Sequence, residues 1–515
     1  MNKSIPLLAL MLCLHFTSCK DSSLTTGSYY YVDPASGNDS NNGKSPDKSF
    51  QSLKKASTLE LKPGDRILLK AGQVFKGSLK LMDLHGTETT PIIVTSYGEG
   101  RAVIESADSA AIVAEDCSSL ICRNIVLQGS GRLAGNKTDG ILFRGVRHGS
   151  IDSLEASGYL YSGIHIRGGS HIAITHSYAH DNGFSGIFAE SGEPEYGTDG
   201  TQFKTLKHVY IGHSVAENNP GCPAITDNHS GNGILIAGVI DGMIEYCEAM
   251  ENGWDMPREG NGPVGIWAFM SDSVTIQHCY SHHNKTSERG KDGGGFDFDG
   301  GIKNSIMQYN LSAFNEGAGY GIFQYAGATE WSGNIARYNI SYNDGSKNSQ
   351  AGIFMWCDPA AEPMKNFHAY NNTIVSSNGL GVNFEPGAYS HFIFENNIFL
   401  ITGKTDRFVD GNYTLAVFHH NLYWSVYHAE LHKPQPLLKT DTEPVCADPG
   451  MILPEGDQLA SIKPESFKLI PWFYLTSGSP GIRAGIPVPG HGGLDFWNNP
   501  VPADGKPNMG AWQGN

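Results

Sequence analysis

Charged side chains are scarce in this chain, 17% of 515 residues, and helix-spaced apolar stripes are almost absent. A helical bundle is thereby excluded, because its helices need an apolar position at every third or fourth residue. Beyond the first twenty residues no segment reaches the ~18 consecutive apolar residues of a membrane-spanning helix. Basic residues are outnumbered 36 to 52, and the formal charge of −16 argues against a nucleic-acid partner, which needs a positive surface to displace counterions. Cysteine is sparse: beyond the first nineteen residues only Cys117, Cys122, Cys222, Cys247, Cys279, Cys357 and Cys446 occur, an odd set without metal-ligand spacing. That excludes a dense disulfide framework.

What is abundant is glycine, 63 residues, accompanied by Asn and Ser. Such a composition suits many short strands joined by turns. The first residues read as an address rather than as fold. Lys3 supplies positive charge, residues 5 to 16 are mostly apolar, and Phe16, Thr17, Ser18 and Cys19 resemble a lipoprotein processing site. The expectation is a signal peptide over 1–18, lipidation of Cys19, a tether over 19–28 and export to the outer membrane. Lys20 to Ser23 is similar to the signal that carries Bacteroidetes lipoproteins to the cell surface.

An internal repeat runs from about residue 117 to 425. A glycine opens a short alternating strand at Gly140, Gly163, Gly186, Gly233, Gly265, Gly295, Gly321 or equally Gly319, Gly352 and Gly381. Between these strands a second unit ends in a small or polar residue and a turn. Asn310, Asn339, Asn372, Asn397 and Asn421 are expected to stack as an inward ladder, with Ser177, Ser214, Cys247 and Cys279 as earlier rungs. One such coil cannot bury its own apolar face, so coils must stack. The fold class predicted is all-β, a parallel β-helix over 116–425. An N-terminal cap with the first coils is expected over 29–115, including a helix from Ser49 to Leu59, and a loop-rich C-terminal cover over 426–515.

Alternation identifies the outward residues of each opening strand, two and four positions after its glycine. They are Leu142 and Arg144, His165 and Arg167, Phe188 and Glu190, Leu235 and Ala237, Trp267 and Phe269, Asp297 and Asp299, Phe323 and Tyr325, Phe354 and Trp356, and Asn383 and Glu385. Aromatic faces pack on sugar rings, so Trp267, Phe269, Phe323, Tyr325, Phe354 and Trp356 are expected to bind a carbohydrate. Arg144, His165 and Arg167 would hold an acidic sugar. Asn383 and Glu385 extend the groove.

Asp297 and Asp299 share one face of a strand, with backbones ~6.6 Å apart. Paired carboxyls at such spacing suit glycoside hydrolysis, one as acid and one as base or nucleophile. Glu316, in the following turn, is a third candidate acid. A hydrolase of this kind needs no cofactor. Alternatively, Asp292, Asp297 and Asp299 could hold Ca²⁺.

Residues Tyr30 to Asp39, Lys62 to Arg66, Ser479 to Gly485 and Met509 to Trp512 resemble the opening and closing segments of bacterial right-handed β-helix proteins that act on polysaccharides. The resemblance implies a right-handed parallel β-helix and a glycan substrate. Residues 291–301 resemble the family-nine pectate lyase segment whose lysine is the base, but Asp297 stands at that position. Lys285, Arg289, Lys291 or Lys303 would have to replace it in a lyase acting on a uronate polymer. Hydrolase, calcium-dependent lyase and non-catalytic glycan-binding surface protein are the three readings, in that order. A monomer is expected.

Overall fold

A computed structural model describes residues 27–192, 206–428 and 441–514, apart from positions 349, 378, 406, 457 and 503. Cys19 and the expected signal lie outside the described residues.

Short alternating strands with inward Ile, Val, Leu and Phe bury those side chains only by stacking coil upon coil. Every inter-strand pairing within the two large sheets is parallel, and each strand pairs with its counterpart one coil away. Parallel neighbours need a crossover, and here the crossover is the rest of the coil, which winds right-handed. Each coil contributes to three faces. One carries the strands opened by glycine, including Asn232–Ala237, Val264–Phe269, Gly294–Phe298, Tyr320–Gln324 and Ala351–Cys357. The second lies beyond a bend and includes Val239–Glu245 and Asp272–Gln277. In Ile141–Asp152 and Ser162–Thr175 one continuous strand serves both faces, bending at Gly145 and Gly168, whose φ angles of +64° and +67° favour glycine. The third face is a separate 13-stranded sheet.

Inward residues of all three faces form one continuous core from Val32 to Tyr423. The expected asparagine ladder is present: each side-chain amide of Asn310, Asn339, Asn372 and Asn397 donates to the next asparagine's Oδ1, and Asn421 donates to Asp441. Cys247 and Cys279 are fully buried in line with it, their thiols meeting backbone carbonyls.

A second ladder went unread in the sequence. Asn182, Asn219, Asn252, Asn284 and Asn315 are linked amide to carbonyl at the corner that leads into the glycine-opened face, ending on Asp344. The helix expected over Ser49–Leu59 is a single turn, Leu53–Ala56, with Ser52 capping the Lys55 N–H.

Regular strands thin out after Asp441–Thr442. The residues beyond it cover a row of aromatics on the outside of the coils, where Tyr280, Tyr338 and Tyr342 pack with Phe467, Phe473, Phe496 and Trp497 in a second apolar core. Among the described residues no helix is long and apolar enough to cross a membrane.

Candidate active site

Strand Gly294–Phe298 and its neighbours fix the geometry. Phe296 and Phe298 enter the core, so Asp297 and Asp299 point outward as alternation requires. Trp267 pairs in register with Asp297 on one side, and Gly321 pairs with it on the other. Gly319, rather than Gly321, is therefore the glycine aligned with Gly295. This two-residue correction keeps Phe323 and Tyr325 outward but sets Phe323 in line with Trp356, and leaves a glycine opposite Asp297.

The two outward rows are not equivalent. Those two residues after the glycine are covered: Trp267 is 3% exposed, and Phe188, Phe354 and Asn383 are buried as well. Trp267 stacks on Phe269, receives His229 edge-on and donates its indole N–H to Asn232. Burial and the Arg258 charge push His229 down to about 4, so the ring over Trp267 is neutral near neutral pH. The row four residues after the glycine is more open, with Arg144 exposed and Arg167, Glu190, Phe269, Asp299, Trp356 and Glu385 half-buried. Phe323 is the buried member of that row beside Asp299 and meets Phe354 edge-on.

Asp297 is 2% exposed, and its Oδ1 has no hydrogen-bond partner. Desolvation, then the charges of Asp299 and Asp292, push its carboxyl well above the usual range. Asp299 accepts the Gly300 N–H at 2.6 Å but is raised to about 7, again mainly by burial, with Asp292 adding to the effect. Asp292 is raised by burial too, although it accepts from the Gly262 N–H and from Gln350. Three mutually interacting carboxyls thus sit in poorly hydrated surroundings, a setting that keeps one of them protonated near neutral pH. The Tyr325 ring lies over Gly300, next to Asp299.

As a calcium site the set fits poorly. Both Asp292 oxygens and one of Asp299 already accept N–H donors, which leaves Asp297 and the second Asp299 oxygen as the ligands not so engaged. No group of three potential ligands converges among the described residues.

Other candidates are placed elsewhere. Glu316 accepts the Thr286 N–H and pairs with Lys347, whose Nζ also donates to the Ser287 carbonyl; these bonds fasten the 284–293 loop. Arg144 pairs with Glu115, Arg167 with Glu190, and His165 with both Asp139 and Glu190. Despite burial, Asp139 and Glu190 raise His165 to about 9, so this cluster holds its positive charge already matched by carboxylates. Lys285 is paired with Glu251, Arg289 with Glu259 and Lys303 with Asp272.

No protein family profile matches the chain. A lacto-N-biosidase of Bifidobacterium longum is 24% identical over 495 residues, an alignment covering 76% of this chain and 30% of that protein. The chain therefore spans less than a third of that relative's length. Among solved structures, the GH136 lacto-N-biosidase of Eubacterium ramulus superposes with a TM-score of 0.50 at 19% identity, covering 70% of this chain and 66% of the other. The PL6 alginate lyase AlyGC gives 0.51 at 14% identity over 78% and 53%. This chain is a parallel β-helix. Hydrolases and lyases share that architecture, so the reaction must be argued from the carboxyl cluster.

Proposed function

We propose that this chain is an exported glycoside hydrolase that cleaves an oligosaccharide or polysaccharide at the Asp292, Asp297 and Asp299 cluster. The observation that carries the reading is Asp297, buried and without a donor on Oδ1, beside the half-open Asp299. A carboxyl that receives no hydrogen bond and little water keeps its proton, which is the state a general acid needs. Asp299, supported by the Gly300 N–H and reachable from the groove, ionises first and acts as base or nucleophile. The nearby Asp292 charge raises both carboxyls further. In the open row Phe269, one coil before Asp299, and Trp356, two coils after it, supply surfaces for sugar rings.

The lyase reading loses support because three of the four candidate basic residues are engaged in ion pairs with other carboxylates. The activity of the Bifidobacterium relative makes an oligosaccharide containing a lacto-N-biose unit the first substrate to try. Attachment to the outer membrane through Cys19, action as a monomer and a cofactor-free reaction belong to this proposal.

The test is incubation with lacto-N-biose-containing oligosaccharides and with uronate polymers, with and without chelator, recording reducing ends and ultraviolet absorbance. New reducing ends without absorbance, lost in Asp299→Asn, support the hydrolase. Chelator-sensitive absorbance overturns it.

A further inference from the structure

A separate pocket of about 340 Å³ opens where the third face turns into the glycine-opened face. It runs along successive corners of the solenoid: Gly131, Gly158, Asp181, Asn218 and Trp254 occupy equivalent turns of coils stacked one after another. From the coil of Gly131 to that of Asp297 there are five steps, on the order of 24 Å at the strand spacing. Its Gly131 end is therefore well removed from the carboxyl cluster, while its Trp254 end sits in the turn that leads into Val264–Phe269, the strand paired with that of Asp297.

The pocket holds a fixed aromatic surface. Trp254 is 45% exposed, yet its indole N–H donates to Asn218 Oδ1 at 2.9 Å, and Asn218 donates to Asp181 at 2.6 Å. The Arg132 guanidinium lies over the indole at 5.7 Å and is itself clamped by the Asp255 carboxylate at 2.7 Å and the Gly221 carbonyl at 3.1 Å. Leu133, 69% exposed, completes the apolar lining. A large ring and a leucine left open to water while their neighbours are tied in place make a preformed surface with acceptors at its rim.

We infer that this pocket is a second carbohydrate-binding site, one that takes one or two neutral pyranose rings. The C–H face of a sugar packs on an indole, and its hydroxyls donate to a carboxylate and an amide oxygen such as those of Asp181 and Asn218. The volume lies at the low end for small-molecule sites, which limits the occupant to a short stretch of glycan. Charge selects the neutral class: Arg132 is already matched by Asp255 and Asp181 already faces His180 at 2.6 Å, so the rim offers a uronate no unmatched cation. The inference does not depend on the hydrolase reading, since binding here needs no turnover.

The full processed chain is titrated with methyl β-galactoside, methyl β-N-acetylglucosaminide, cellotriose and trigalacturonate, following tryptophan fluorescence and ligand saturation-transfer NMR. At least one neutral probe is expected to bind, at least ten-fold more weakly to Trp254→Ala, while trigalacturonate gives no Trp254-dependent signal. Leu133→Arg, at an exposed position that supports no packing, is expected to lower affinity similarly with an unchanged melting temperature, so a poorly folded Trp254→Ala does not leave the question open. Equal affinity in wild type and Leu133→Arg, no binding of any neutral probe, or preference for trigalacturonate would each overturn the site.

Discussion

Asp297 stands in register with Gly321, so the buried carboxyl faces a position that carries no side chain. A Cβ there would lie 2.8 Å from the Phe323 ring and 3.1 Å from Asp297 Oδ1. Gly321→Leu is expected to displace Phe323, destabilise the fold by about 1–3 kcal/mol as overpacking does, and abolish turnover. Urea denaturation together with an activity assay checks both. A leucine variant with normal kcat would show that the space is not used.

Removing each carboxyl separates the roles. Asp297→Asn and Asp299→Asn are expected to lose about 10²–10⁴-fold in kcat, the usual worth of a positioned acid or base, while melting no lower than wild type, because the nearly isosteric amide cannot ionise in a poorly hydrated site. An Asp292→Asn enzyme as inactive as Asp299→Asn, with Asp297→Asn still active, would transfer the acid role to Asp292.

The pH dependence comes from the raised pKa values. Asp299 holds its proton up to about 7 in the folded chain against 3.8 ordinarily. A group raised on folding contributes its full stability below the ordinary value and loses it as pH rises through the folded one. The melting temperature is thus expected to fall as pH rises from about 4 through about 7, less so in Asp299→Asn. Asp299 must be ionised and Asp297 protonated for the pair to act, so kcat/KM is expected to rise as pH climbs through about 7 and to fall only where Asp297 ionises at higher pH, in a pH-rate profile.

Covered and open aromatics differ in what their loss does. Phe269→Ala and Trp356→Ala are expected to raise KM several-fold with little change in melting temperature. Trp267→Ala removes a buried ring and is expected to destabilise by about 3–5 kcal/mol. Calorimetry and steady-state kinetics on the three variants distinguish the rows.

Ladder asparagines act on stability alone. Asn372→Ala leaves the Asn339 amide and the Ala336 carbonyl without their partner, and each buried orphan costs about 1–3 kcal/mol. A clear drop in the denaturation midpoint with unchanged KM in the surviving folded enzyme is expected.

Much of the fold was legible because a solenoid writes its structure as a period. The opening glycines, the outward parity of Asp297 and Asp299 and the ladder from Asn310 to Asn421 all come from stacking like on like. Gly319 and Gly321 share a parity, so alternation alone could not choose between them; only pairing with Asp297 does. Trp267 looked open for a similar reason, since alternation says which way a side chain points and not whether a loop carrying His229 lies over it. The ladder from Asn182 to Asn315 hid among turn residues, where asparagine is commonplace; its trace was the recurrence of Asn just after each third-face strand. Glu316 drew notice for its place near the pair, and its fastening role depends on Lys347, a residue thirty-one positions on.

Both amide ladders share a direction and a terminus. Every asparagine passes a hydrogen bond onward, whereas Asp344 and Asp441 accept the last one and, when ionised, have none to give. A relay of amides can be lengthened without limit by copying a coil; one closed by a carboxylate cannot. The two aspartates punctuate the repeat, and a duplicated coil inserted beyond either of them would begin its own thread with an unanswered acceptor.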